Sequence, residues 1–304
     1  MEHRKLSMDG FGALCLIGFA LLLGFNQVVI KVTNDGFQPV FAAGLRSAGA
    51  ALCLLVWMRF RGVAVTIKPG SMRAGLGLGL LFAIEFTLLF NALDLTTVTR
   101  TSVIFYTMPV WLTLAAHFLL PGEGLTRVKL LGLTLAFGGV ALAMVTRTQG
   151  GQASLVGDLC ALGASFCWTG IALAARARGM QGVTPEMQLL WQTAVSAPLL
   201  LVASLAFGPW IRELATIHIA AMAFQIVVVV MAAFLMWFWL LGRYPAGQVA
   251  AFGFLSPVFG AFMGWALLGE TVGPPLFAAL VMVAGGLALI NRPVGGFRFR
   301  KTSG

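Results

Sequence analysis

The feature that most constrains this chain is an internal repeat, because the sequence of its first half returns in its second half. A proline, a Gly-Glu pair and a Gly-Gly pair recur in the same order at a nearly constant spacing. The matched positions are Pro109 and Pro257, Glu123 and Glu270, and Gly138 and Gly285, which are 148, 147 and 147 residues apart. Self-similarity at a fixed period indicates a duplicated structural unit. We therefore predict one unit in residues 1–150 and a second in residues 151–304.

The composition places this duplicated unit in a membrane. Hydrophobic residues make up 59% of the 304 residues and charged residues 10%, whereas about a quarter of a soluble domain is charged. The apolar runs reach the ~20 residues that a helix needs to cross a bilayer, and they lack the alternation of a membrane barrel. We predict an all-α integral membrane protein with ten spans and no soluble domain. The predicted spans are residues 10–30, 39–58, 74–93, 98–119, 128–147, 154–175, 187–207, 219–241, 246–268 and 273–291.

The basic residues predict the orientation of these spans. Of the 20 Lys and Arg residues, 15 fall in loops on the side of the N-terminus, four fall on the other side, and Arg46 lies inside a span. Cytoplasmic loops carry the excess of positive charge, so we expect both termini in the cytoplasm. The same loops account for the net charge of +10 without a nucleic-acid partner.

The span count has an architectural consequence. Each half holds five spans, an odd number, so the second half must cross the membrane in the sense opposite to the first. Two inverted five-helix repeats are a transporter architecture, with the substrate site between them near the middle of the membrane.

Several motifs carry a resemblance to a known family. The first span holds Leu23-Gly24-Phe25-Asn26 with Lys31 five residues later, the second holds Leu45-Arg46, and Trp168 occurs at the corresponding place in the second half. Together with the duplicated Pro, Gly-Glu and Gly-Gly positions, these motifs resemble the EamA-type ten-helix exporters of the drug/metabolite transporter superfamily. The likeness is strongest to bacterial exporters of amino acids, including aromatic ones. The first half departs from the family pattern because Leu23 stands where a tryptophan is expected.

The resemblance implies a multi-pass protein of the inner membrane, surrounded by lipid, that exports neutral amino acids or similar small metabolites by alternating access. Nothing in the sequence could bind ATP, so no cofactor is expected, and proton-coupled and facilitated transport both stay open. Because one chain holds both halves, we expect a monomer.

Two ionisable residues lie deep in predicted spans and are the first candidates for the substrate site. Glu85 is near the middle of the third span and Arg46 near the middle of the second. A charge at that depth is costly unless it is paired, solvated or functional. The alternatives are a structural Arg46–Glu85 pair, or two groups that receive the carboxylate and the ammonium of a zwitterionic amino acid. Glu85 is also the candidate proton carrier.

Four further side chains are candidates for substrate binding. Asn26 could bind substrate or join helices, since buried amides do both. Tyr106 and Trp168 lie too deep to be interfacial anchors, so they either line a pocket or pack the core. Gln192 occupies the place equivalent to Arg46 in the second half.

A third group of residues predicts bending and close packing. Pro109 and Pro257 can bend the fourth and ninth spans, because each removes a helical hydrogen bond. Gly260 and Gly264 form a GxxxG pair that lets helices approach closely. Glu123 and Glu270 lie at span boundaries, and we expect each to cap the next helix or to form a salt link at its start, because carboxylates favour helix N-termini. A gating role is the alternative.

Two other functions remain as alternatives. A multidrug or cationic-compound exporter of the same superfamily would use Glu85 and the aromatic residues. A membrane-embedded lipid-modifying enzyme belongs to another class and needs clustered His, Asp or Ser, whereas the three histidines are scattered. The four cysteines lie inside apolar runs without a CxxC pair, so we expect reduced thiols and no metal site.

Overall fold

The computed structural model describes residues 9–119, 125–146, 154–175, 177–244, 249 and 252–291. The helices in these ranges are α1 (Gly10–Gly36), α2 (Pro39–Arg61), α3 (Met72–Leu95), α4 (Val98–Phe105), α5 (Met108–Leu119), α6 (Arg127–Val145), α7 (Leu155–Ala174), α8 (Pro185–Ala203), α9 (Thr216–Phe224), α10 (Phe234–Arg243), α11 (Leu255–Leu268) and α12 (Pro274–Ile290). A π-helical segment, Gln225–Ala233, joins α9 to α10, and short 3-10 turns occur at Arg178–Met180, Ser204–Ala206 and Phe252–Phe254.

The prediction of an all-helical membrane chain is confirmed, and each predicted span coincides with a helix or a pair of consecutive helices. Within the described ranges, seven helical spans are long and apolar enough to cross a membrane, while Phe252–Leu268 and Pro274–Ile290 are shorter apolar helices. The predicted fourth span is divided into α4 and α5. Part of the predicted ninth span lies outside the described residues.

Local chemistry explains where α2 begins and ends. The side-chain oxygen of Gln38 accepts a hydrogen bond from the backbone N–H of Phe41, and Pro39 occupies the first turn. Proline suits that position because the first-turn N–H groups have no helical partner. The helix ends at Gly62, whose φ of 66° is a left-handed conformation that glycine adopts without strain.

The interruption of the fourth span follows from Pro109. Proline has no N–H, so the carbonyl of Phe105 cannot receive its usual helical hydrogen bond. The backbone N–H of Thr107 turns to the carbonyl of Ile104 at 3.2 Å, in the tighter i to i−3 pattern. The bend predicted at Pro109 is therefore a break between α4 and α5.

The chain forms two compact units, and each unit draws on both sequence halves. The first unit contains Met1–Val28, Val98–Gly150 and Ala233–Gly304, and the second contains Val29–Thr97 and Gly151–Ala232. These units describe packing, so the division into duplicated units at 1–150 and 151–304 stays a prediction about the repeat.

In the first unit, α6 packs closely against α12. A Cβ added to Gly132 would lie 2.8 Å from the carbonyl oxygen of Gly286, and one added to Gly139 would lie 2.8 Å from that of Ala279. The two helices are therefore antiparallel, and the midpoints of their contact are 147 residues apart, which is the repeat spacing. Because α6 and α12 correspond to the fifth predicted span of each half, this contact has the symmetry of an inverted repeat.

In the second unit, hydrogen bonds join segments that were predicted to lie on the same side of the membrane. The ammonium of Lys31 donates to the carbonyls of Leu93 and Thr96, each at 2.8 Å, at the end of α3. On the opposite side, Lys68 donates to the carbonyl of Gln181 at 2.6 Å. These contacts support the predicted span count. The assignment of one side to the cytoplasm stays a prediction.

Candidate functional site

The second unit contains the buried basic residue that the sequence singled out. Arg46, in the middle of α2, is 3% exposed. Its guanidinium carbon lies 4.1 Å from the centre of the Phe86 ring and 5.8 Å from that of Phe90. Within the described residues its Nη1 has no hydrogen-bond partner. Arg46 is thus held on aromatic faces of α3 and keeps a free donor, which is what recognition of an anion requires.

Glu85 lies one residue before Phe86 on α3 and is 4% exposed. It interacts electrostatically with Arg46, but across the described ranges no hydrogen bond or ion pair within 4 Å joins the two side chains. The structure therefore brings the two predicted charges into one neighbourhood without closing them into a contact pair. Phe86 was not predicted as a site residue. The sequence did contain a signal for Phe86, because it lies next to the mid-span carboxylate of Glu85 and one helical turn before a second aromatic residue, Phe90.

The first unit holds a second polar group, built around Tyr106 at the break between α4 and α5. The Tyr106 hydroxyl accepts a hydrogen bond from Gln27 Nε2 at 3.2 Å and donates one to the carbonyl of Leu23 at 3.0 Å. Asn26 Oδ1 and Gln27 Oε1 are both buried without a partner among the described residues. The sequence missed Gln27, although a second amide beside Asn26 in an apolar span was a signal.

Gln192 lies apart from the Arg46–Glu85 neighbourhood. Its Nε2 donates to the carbonyl of Gln188 in its own helix at 3.2 Å. The preceding residue, Trp191, packs against Gly75 near the start of α3. A Cβ added to Gly79 would lie 2.8 Å from the carbonyl oxygen of Trp191, and six residues of helix separate Gly79 from Glu85, so Gln192 is roughly 9 Å from Glu85 along the helix axis. The alignment of the two halves, which matches Gln192 with Arg46, did not predict this axial distance between Gln192 and Glu85.

Trp168 lies in α7 with a partly exposed side chain. It belongs to the second unit, as do Arg46 and Glu85, whereas Asn26 and Tyr106 belong to the first. A role of Trp168 in pocket lining stays a prediction.

The predicted GxxxG pair lies at close helix contacts in the first unit. A Cβ on Gly260 would collide with the side chain of Ser102, and one on Gly264 would lie 2.6 Å from Glu270 Oε2 and 3.1 Å from Thr99 Oγ1. Small residues are therefore required at both positions of α11, in accord with a packing role.

The prediction that Glu270 caps the next helix in the chain is wrong about the helix. Glu270 accepts hydrogen bonds from the backbone N–H groups of Val98 and Thr99, at the start of α4, rather than from α12. A carboxylate at that place satisfies free N–H groups and the positive end of the helix dipole. Glu123 lies outside the described residues.

Pro109 and Pro257 occupy the same kind of position. Pro109 is the second residue of α5 and Pro257 the third residue of α11, and each helix follows an irregular or 3-10 stretch. First-turn positions tolerate proline because their N–H groups have no helical partner. A hinge role for either proline stays a prediction.

Comparisons with known proteins agree with this architecture. The sequence profile described as the EamA-like transporter family matches residues 10–145 and 155–292. A protein of Salmonella typhimurium named "Probable amino-acid metabolite efflux pump" is 29% identical, with 97% of each chain covered, and the Escherichia coli protein of the same name is 28% identical, with 96% of this chain and 97% of that one covered. The uncharacterized transporter YoaV of Bacillus subtilis is 24% identical over 90% of this chain and 94% of its own.

A solved crystal structure has the same fold. It matches with a TM-score of 0.66 and 22% identity, and the match covers 91% of this chain and 97% of that one. The family match spans both halves of the sequence. The chain therefore belongs to the EamA-like transporter family, and it is a multi-pass membrane transporter of small molecules rather than an enzyme.

Proposed function

We propose that this protein exports neutral amino acids, including aromatic ones, or similar small metabolites across the bacterial inner membrane. The observation that carries the proposal is the relationship between Arg46 and Glu85. One side chain is basic and the other acidic, both are buried, and within the described residues no hydrogen bond joins them. A zwitterion offers a carboxylate to the guanidinium and an ammonium to the carboxylate.

Binding energetics favour this arrangement. A buried charge that lacks a partner is costly, and a zwitterionic substrate would satisfy both groups at once. Arg46 retains an unpartnered Nη1 donor in the described chain, and a guanidinium is suited to planar recognition of a carboxylate. The names of the two enterobacterial relatives point to the same substrate class.

The transport cycle that we propose is alternating access by a single chain. The pairing of α6 with α12 at the repeat spacing supports it. Inverted repeats commonly move as bodies around a central site. Glu85 is the carrier in our proposal if a proton is coupled, because it is the carboxylate near mid-span in the second unit.

The test is flux in proteoliposomes that contain the purified protein. Labelled phenylalanine and leucine are followed with and without a pH gradient, for the wild type and for Arg46→Gln and Glu85→Gln. Arg59→Gln, at the exposed end of α2, and Glu213→Gln, on an exposed loop, are matched controls for charge removal. We expect saturable flux that both site variants abolish and both controls retain.

The outcomes separate the alternatives. Flux without a gradient identifies a facilitator, and flux that requires a gradient lost in Glu85→Gln identifies proton coupling. Normal amino-acid transport by folded Arg46→Gln and Glu85→Gln would refute the proposed site. Transport of a lipophilic cation, but of no amino acid, would favour the cationic-compound exporter, for which an unbonded Glu85 also offers a binding group.

A further inference from the structure

The interface between α3 and α7 in the second unit pairs small residues with large ones. A Cβ added to Gly163 would lie 3.0 Å from Leu88 Cδ1, and one added to Gly170 would lie 3.4 Å from Leu81 Cδ1. The sequence numbers rise along α7 as they fall along α3, so the two helices are antiparallel. These two contacts fix the register of the interface.

Cys167 lies opposite Glu85 in this register. It follows Gly163 by four residues and precedes Gly170 by three, while Glu85 follows Leu81 by four and precedes Leu88 by three. Residues three and four apart share one face of a helix. The thiol and the carboxylate also interact electrostatically, in agreement with the register.

The carboxylate opposite Cys167 has the properties of a binding group. Glu85 is 4% exposed, and in the described part of the chain it has no hydrogen-bond partner. In this register, a cationic group that binds Glu85 on the side facing α7 would border Cys167. Cys167 is only partly buried.

We propose that Cys167 forms the wall of the substrate site beside Glu85 and limits the size of the group that binds there. This inference rests on the proposed function, because it takes Glu85 as the place where substrate binds. Cys167 thereby becomes a specificity-determining residue and a thiol that bound substrate protects from modification.

The first experiment tests the juxtaposition independently of transport. In a full-length variant whose sole cysteines are Cys167 and a cysteine introduced by Glu85→Cys, oxidation by copper phenanthroline removes two electrons from the two thiols and forms a disulfide. The control variant pairs the same introduced cysteine with Cys160, which is two turns away on the same face of α7. We expect cross-linking with Cys167 and none with Cys160, and the absence of the Cys167 cross-link would overturn the inference.

The second experiment tests the contact with substrate. Proteins that retain Cys167 alone or Cys160 alone are treated in proteoliposomes with a small methanethiosulfonate, whose sulfenyl sulfur the thiolate attacks to give a mixed disulfide and methanesulfinate. We expect labelling of Cys167 to stop transport, reversibly by a reducing agent, and to slow about tenfold when the transported amino acid is present at ten times its Kd. Labelling of Cys160 should not depend on substrate.

Size variants complete the test. Cys167→Leu should lower kcat/KM for phenylalanine relative to alanine by about tenfold, since a few added methylene groups change discrimination by that factor in a close-fitting site. Cys160→Leu is the matched control and should leave this ratio unchanged. Labelling of Cys167 that a transported compound leaves unchanged would overturn the wall role. Absence of flux for amino acids and for a lipophilic cation would remove the proposed function and the wall role together, and a cross-link that still forms would show that the function, not the juxtaposition, had failed.

Discussion

Glu270 Oε1 accepts a 2.6 Å hydrogen bond from the backbone N–H of Val98. Its second oxygen accepts from the N–H of Thr99 at 2.9 Å and from the Thr99 hydroxyl at 2.7 Å. A residue from the end of the second half thus caps a helix of the first half, and both lie in the first unit. Gly264 leaves the room that this buried carboxylate occupies.

The Glu270 cap gives a prediction about stability. Glu270→Ala removes the acceptor for three donors at the buried start of α4 and should lower the free energy of unfolding by roughly 2 kcal/mol or more. Glu270→Gln should be intermediate, because an amide retains one acceptor oxygen. Thermal unfolding of the detergent-solubilised protein measures the effect.

Thr99 provides the control for this prediction. Thr99→Ser keeps the hydroxyl donor and should retain nearly the wild-type melting temperature, while Thr99→Val removes one of the three donors. Equal melting temperatures for the wild type and Glu270→Ala would show that the cap contributes nothing.

The close contacts of α11 give a second prediction. Gly264→Ala places a methyl group 2.6 Å from a carboxylate oxygen that itself accepts two hydrogen bonds. The overpacking should destabilise the protein by about 1–3 kcal/mol. Gly285→Ala is the matched control, since a Cβ there meets nothing within 4 Å, and it should be neutral in the same melting assay. A Gly264→Ala variant as stable as Gly285→Ala would contradict the packing.

The residue patterns predicted where the helices lie, but they predicted few of the contacts between helices. Hydropathy located the spans, and Pro109 marked the break between α4 and α5, because both are local consequences of residue type. The partner of Glu270 could not be predicted, since a cap from across the chain depends on tertiary packing. The π-helical segment Gln225–Ala233 was not predicted either, because its apolar and β-branched residues are equally common in α-helical membrane spans.

The candidate site also has some features that the sequence predicted and others that depend on tertiary packing. Arg46 and Glu85 were predictable because an ionisable residue at mid-span is costly and is therefore usually paired or functional. Their aromatic support and the free Nη1 could not be read from the sequence, because they depend on how α2 packs against α3. Sequence equivalence placed Gln192 with Arg46, but helix register separates Gln192 from Glu85.

A surface ion pair in the second unit gives a third prediction. Arg212 Nη1 and Nη2 donate to the two carboxylate oxygens of Asp94 at 2.7 and 3.0 Å, with side-chain exposures of 40% and 21%. Hydrogen bonding to Asp94 raises the pKa of Arg212 above its ordinary value. A raised pKa of a base gives stability that is complete below its unfolded value and is lost only as pH rises through the raised one. Deprotonation of Arg212 should therefore cost no stability between about pH 6 and pH 9.

A double-mutant cycle with Arg212→Gln and Asp94→Asn measures this pair. Because both groups reach solvent, their coupling should be below about 1 kcal/mol and should decrease as salt is added. A coupling above about 2 kcal/mol, or one that salt leaves unchanged, would contradict an exposed ion pair.

The contact of Arg46 with Phe86 gives the last prediction. Phe86→Leu keeps apolar volume but removes the ring that lies 4.1 Å from the guanidinium carbon, and a cation–π contact of this kind contributes about 0.5–2 kcal/mol. If that contact holds Arg46 in place for a substrate carboxylate, KM should rise about three- to thirtyfold, since 1.4 kcal/mol corresponds to a factor of ten. Phe90→Leu is the graded control, because its ring is 5.8 Å away and its loss should raise KM less.

Arg46→Lys tests the guanidinium itself. It keeps the charge but not the planar group, so it should not retain the wild-type affinity for substrate. Wild-type KM in Phe86→Leu and Arg46→Lys, with the proteins folded, would mean that Arg46 does not bind the substrate.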